Sequence, residues 1–216
     1  MRTLFLPTIL LAAVMFVAAP WLIDGAPYES TMGFVQKIFY FHFPSWMVMF
    51  SAVFVCGVAG AVHLFRRSAA ADRVAVAAAE VAVLFGLIGL TTGPLWARKA
   101  WGVWWQWDAR LTSALVLELI LIAYLLLRRY GGPGSEKLAS GVALFGMANV
   151  PFVYWSVNFW RTVHPKTTVV PTLGPGMRGT LWWCTAAFLL LAAATFAARV
   201  RLERLRARVD ELYLEE

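Results

Sequence analysis

Residues 74–96 read VAVAAAEVAVLFGLIGLTTGPLW. A single ionisable side chain, Glu80, interrupts the run, and nothing in it alternates with the period of two that a barrel strand requires. About 20 apolar residues in a helix cross the hydrocarbon layer of a bilayer, where only a helix or a closed barrel satisfies its own backbone. The stretch predicts a transmembrane helix. Residues 4–22, 44–65, 111–127, 138–157 and 180–198 have the same character. The expectation is an all-α polytopic membrane protein, a single six-helix membrane domain over residues 1–216 with the lipid bilayer as its surroundings. The charged segment 199–216, RVRLERLRARVDELYLEE, has helical periodicity and extends the sixth helix into water.

Composition agrees. The chain is 61% hydrophobic and 14% charged, with mean hydropathy +0.68, whereas a soluble domain is nearer half apolar and a quarter charged. A formal net charge of +7 in such a chain reads as topology-setting basic loops, with no nucleic-acid partner implied. Cys56 and Cys184 lie far apart in apolar runs with no CxxC, and read as small hydrophobes.

The basic residues divide unequally. Twelve lie on the N-terminus, the loops after spans two and four, and the tail; seven lie on the opposite loops 23–43, 97–110 and 158–179. The richer side is cytoplasmic. Both termini are therefore expected inside a cytoplasmic membrane, with these three loops outside.

The outer loops hold the unusual chemistry. Trp101 to Ser113 reads WGVWWQWDARLTS. An aromatic membrane belt is one reading of so many indoles, but belts form at both interfaces. Here all eleven tryptophans map to the outer loops or outer helix ends. Trp101, Trp104 and Trp105 fall at i, i+3 and i+4, and Trp104, Trp107 and Asp108 form an overlapping stripe. The spacing predicts a short surface helix with a broad aromatic face, suited to a large planar apolar ligand. Asp108 is equally an N-cap for the fourth helix. Arg110 is a headgroup contact or a partner for Asp108.

Of the three histidines, His63 in AVHLFRR lies at the cytoplasmic end of span two, and a packing role suits it. His42 in FYFHFPSWM and His164 in WRTVHPKTT are both on the tryptophan side, each close to a proline. Pro44 and Pro165 are expected to hold them in non-helical backbone, His42 at the mouth of helix two. Either can be an ordinary hydrogen-bonded residue. Imidazole is also a good iron ligand, and an aromatic bed, two axial ligands and nearby cations (Arg98, Lys99, Arg110, Arg161, Lys166 and Arg178) would suit a flat macrocycle. A zinc site is poorly signalled, since there is no HExxH.

WGVWWQWDARLTS closely resembles the tryptophan-rich WWD signature of haem-handling membrane proteins. KIFYFHFPS, Lys37 to Ser45, and SVNFWRTVHPKTT, Ser156 to Thr168, resemble the two histidine motifs of the haem exporter protein C family of the cytochrome c maturation system. The resemblance covers nearly the whole chain. It implies haem b held non-covalently at the outer face, with His42 and His164 as axial iron ligands and Trp101, Trp104, Trp105, Trp107 and Asp108 as the platform. It further implies delivery to a periplasmic haem chaperone, the E protein, whose histidine bonds to a haem vinyl. The partners implied are the A and B subunits of an ABC transporter and a small D protein. The protein would then be a delivery and assembly factor, not a conventional enzyme. Larger cytochrome c synthetases share the WWD segment but carry more helices and histidines. A membrane b-type cytochrome normally has its ligands within helices. A transporter would show midplane charges, for which only Glu80 and Glu118 are candidates.

Overall fold

A computed structural model describes the backbone of residues 2–215 and the side chains of residues 4–213. Seven α-helices follow in order: α1 Arg2–Gly25, α2 Phe39–Arg66, α3 Ala69–Trp101, α4 Ala109–Tyr130, α5 Ser135–Phe159, the single turn α6 Val169–Thr172, and α7 Pro175–Glu215. All but α6 are long and apolar enough to cross a membrane. Among the described residues there is no strand, only an isolated bridge between Glu29 and Gly33. The protein is an all-α polytopic membrane protein.

Local chemistry sets the helix ends. Ser68 caps α3 by accepting from the Ala71 N–H at 3.2 Å, and Gly102, at φ 77°, ends that helix in the left-handed conformation that glycine adopts without steric cost. Asp108 caps α4, its Oδ1 accepting from the Leu111 N–H at 2.8 Å. The charged tail continues the last span without a break, so α7 runs for about 60 Å at 1.5 Å per residue.

Helix α2 is central and packs on α3, α5 and α7; α4 packs on α5 and α3, and α1 on α7. Small residues permit the close approach, as expected where lipid offers no hydrophobic drive between helices. A Cβ on Gly57 of α2 would stand 2.5 Å from Met147 Cβ of α5, and one on Gly60 would stand 3.1 Å from Ala143 Cβ. Along α3, Gly86, Gly89 and Gly93 lie against Glu118, Trp46 and His42 in turn. The glycine spine of α3 thus seats side chains from α2 and α4 directly on its backbone.

The up-and-down path brings the end of α1, the start of α2, the end of α3, the start of α4, the end of α5 and the start of α7 to one end of the bundle. All eleven tryptophans belong to that end. His63 is at the other end, where its Nδ1 lies 3.1 Å from the Ser68 carbonyl. Ion pairs cluster there too, including Arg128 with Asp72 at 2.6 Å and Arg199 with Glu80.

Two expectations are corrected. The tryptophan segment is not a surface helix: residues 102–108 are irregular. Gly102 stops α3 in the left-handed conformation and Asp108 caps the start of α4, and the segment between them follows neither helix. His42 does not sit above helix two but inside its first turns, because α2 begins at Phe39 and follows a 3-10 turn at Phe34–Ile38. Burial outweighs the proline bias: Phe39 and Tyr40 are core residues, and Pro44 removes just one helical hydrogen bond near the helix start.

Candidate functional site

His42 is 7% exposed. Its ring stands edge-on to Trp46, with centroids 6.2 Å apart, and to Trp96 at 5.6 Å. Trp46 follows on the same face of α2, and Trp96 comes from α3. Thr92, also on α3, places its Oγ1 2.9 Å from His42 Nδ1. That hydroxyl is 2.8 Å from the Ile88 carbonyl, and when it donates there its oxygen is free to accept from the imidazole. An imidazole with its proton on Nδ1 meets that acceptor and keeps the Nε2 lone pair.

His164 arrives from the irregular segment between α5 and α6. Its Nδ1–H donates to the Pro165 carbonyl at 2.9 Å, and its backbone N–H donates to Thr162 Oγ1 at 3.0 Å. Thr162 in turn donates to Asp108 Oδ2 at 2.5 Å. Asp108 is thus shared: one oxygen caps α4 and the other holds the loop that carries His164. Burial first, and then the charge of Arg110, push the His164 imidazole down to about 4. It is neutral at pH 7.

The two imidazoles meet with ring centroids 6.4 Å apart and planes inclined at 41°. Among the described residues no hydrogen bond engages Nε2 of either ring. Histidines with a bonded Nδ1–H and a free Nε2 are in the state that ligates metal. Among the described residues no group of three or more His, Cys, Asp or Glu could hold a bare metal ion. A pair alone matches a metal whose other positions are already filled, as by a macrocycle.

Cavities flank the pair. One of about 60 Å³ is lined by Trp46, Trp96, Trp101, Trp104 and Trp105 together with both histidines and Arg110. The other, of about 410 Å³, also borders both histidines and Arg110 and extends between α2 and α5 past Met47, Phe50 and Tyr154. The larger volume falls in the range of small-molecule sites. Arg110 bridges helices here, donating from its guanidinium to the Val153 carbonyl of α5. The indole Nε1 atoms of Trp96 and Trp105 are buried without a hydrogen-bond partner. Unmet donors beside a cavity suit a ligand with acceptors at its edge.

The candidates named from sequence are therefore partly assembled. His42, His164, Trp101, Trp104 and Trp105 share one cavity wall, with Trp101 stacked on Trp96 at 6.0 Å. Trp107 is 77% exposed and touches Trp105 edge-on at 5.7 Å, at the rim. Asp108 borders neither cavity. Trp46, Trp96, Thr92 and Thr162 were missed. Trp46 had a signal, since i+4 from His42 is the same helix face; Trp96, Thr92 and Thr162 depend on tertiary contacts.

Residues 1–215 match the family model described as Heme exporter protein C. The chain belongs to the haem exporter protein C family. It is 32% identical to the Heme exporter protein C of Escherichia coli K12 over 225 residues, covering 98% of this chain and 90% of that protein. Identity to the namesake of Bradyrhizobium diazoefficiens is 35% over 196 residues, 88% of this chain and 74% of that one. For that of Paracoccus denitrificans it is 31% over 218 residues, 91% and 90% respectively. The two histidine segments and the tryptophan segment all lie inside the matched region.

Proposed function

We propose that this protein binds haem as a cargo at the tryptophan end of its bundle and passes it to a periplasmic haem chaperone during cytochrome c maturation. Family membership supports a role in haem handling for cytochrome c maturation. The observation that carries the reading to this site is the facing pair His42 and His164, with centroids 6.4 Å apart. Two imidazoles on opposite sides of one metal ion, with metal–nitrogen bonds of about 2 Å, place their centroids about 6 Å apart. His42 and His164 would be the axial ligands of a non-covalently held haem b. Trp101, Trp104 and Trp105 would supply an apolar bed, and Trp107 its exposed rim. Asp108 acts through Thr162 on the His164 loop. The protein orients the macrocycle so that a vinyl edge meets the incoming chaperone histidine, a proximity contribution.

In this reading the membrane is the cytoplasmic one, with both termini inside and the site outside. The chaperone meets the tryptophan end, while the A and B subunits of an ABC transporter and the small D protein pack on the helices. The test is an absorption spectrum of the protein purified with its lipids and supplied with haem. A Soret band is expected in the wild type, with loss or a shift in His42→Ala and in His164→Ala. A wild type that takes up no haem sinks the reading. Unchanged spectra in both variants remove the ligand assignment. Chaperone transfer is tested by incubating loaded protein with apo-chaperone and looking for covalent haem on the chaperone.

A further inference from the structure

Nothing in the sequence motifs distinguishes the two histidines, but their surroundings do. The ring of His164 leans on its own loop, since its Nδ1 partner is the next residue's carbonyl. The ring of His42 is held by a different helix. Thr92 of α3 meets it at Nδ1 at 2.9 Å, and a Cβ on neighbouring Gly93 would stand 3.2 Å from His42 Cε1. The Cε1–Nδ1 edge of the imidazole therefore lies against α3.

We infer that Thr92 is a positioning residue for haem ligation: as a hydrogen-bond acceptor it keeps the proton on His42 Nδ1 and so presents the Nε2 lone pair to the iron. This rests on the haem reading above. The physical chain is short. The Thr92 hydroxyl donates to the Ile88 carbonyl, leaving its oxygen to accept from His42 Nδ1–H. A neutral imidazole has one N–H, so a fixed Nδ1–H leaves Nε2 as the basic nitrogen. A metal-bound histidine whose other nitrogen donates to an oxygen is both oriented and made more basic, and losing such a partner typically costs about 10–100-fold in metal affinity. In Thr92→Val the shape is kept and the acceptor is lost. The lost bond to Ile88 is an i−4 back-bond that contributes little to a helix.

The test titrates haem into the full-length protein in nanodiscs, comparing wild type, Thr92→Val, Thr92→Ser and Thr91→Val. Affinity is read from the Soret band, and the ferric spin state from electron paramagnetic resonance. Thr91 is a matched control, because it makes the same back-bond, to Leu87 at 2.8 Å, on the exposed face. Thr92→Val is expected to bind haem at least about tenfold more weakly, with a high-spin fraction where wild type and Thr91→Val are low-spin. Thr92→Ser is expected to restore both. Wild-type affinity and spin state in Thr92→Val overturn the inference while leaving haem binding intact. Equal loss in Thr92→Ser and Thr92→Val also overturns it, because the hydroxyl is then not what matters. A wild type without haem overturns the parent reading instead.

Discussion

Asp108 and Thr162 join the tryptophan segment to the second histidine loop: the Thr162 hydroxyl donates to Asp108 Oδ2 at 2.5 Å, while Asp108 Oδ1 caps α4. Asp108, which reads from sequence as cap or platform, caps α4 with one oxygen and holds a loop with the other. Thr162→Val separates the two roles. The cap remains, so thermal stability is expected to stay within about 0.5 kcal/mol. The His164 loop loses its anchor, and haem affinity is expected to fall by up to about tenfold. Asp108→Ala is expected to lose both, with about 1 kcal/mol of stability gone with the cap. Differential scanning fluorimetry and haem titration on the same samples measure the pair of effects.

His164 makes the haem-free protein sensitive to acid. Its imidazole titrates at about 4 in the folded state, held down by burial and by Arg110, against an ordinary value near 6.5. Between these values the unfolded chain takes up a proton that the folded one refuses, so stability falls as pH drops from about 6.5 to about 4. Above 6.5 this contribution is fully present. His164→Gln is expected to flatten that part of a plot of Tm against pH. An unchanged slope would show that His164 is not the group responsible.

Gly89 leaves room for Trp46. A Cβ there would stand 2.7 Å from the indole Cε2 and Nε1, and the indole is edge-on to His42. Gly89→Ala is expected to cost about 1–3 kcal/mol by overpacking and to shift the haem spectrum. Gly141 on α5 has open space around it, so Gly141→Ala is expected to be neutral or to stabilise by up to about 1 kcal/mol through helix propensity. Thermal unfolding in detergent distinguishes them.

Glu118 is 1% exposed, and neither carboxylate oxygen has a hydrogen-bond partner. A buried polar group without partners costs about 1–3 kcal/mol. Glu118→Met, of similar length, is expected to raise Tm. A fall in Tm would mean that the carboxylate has a stabilising partner in the membrane.

The sequence by itself determined the fold class, since a run such as residues 74–96 has no other way to satisfy its backbone in lipid. It also placed the eleven tryptophans and both candidate histidines at one end, because each span reverses direction and sidedness follows from counting spans. Gly102 and Asp108 were visible as turn and cap residues, yet the periodicity of Trp101, Trp104 and Trp105 suggested a helix between them. Helical spacing in so short a segment describes a pattern, not a structure. What tertiary structure decided was the partnership of residues remote in the chain. Thr92 meeting His42 at Nδ1, Thr162 reaching Asp108, and Gly93 lying against the edge of an imidazole all depend on how α2, α3, α4 and α5 pack. No periodicity encodes them, because each is a contact between segments remote in the chain, set by how the helices and the loops they carry approach one another.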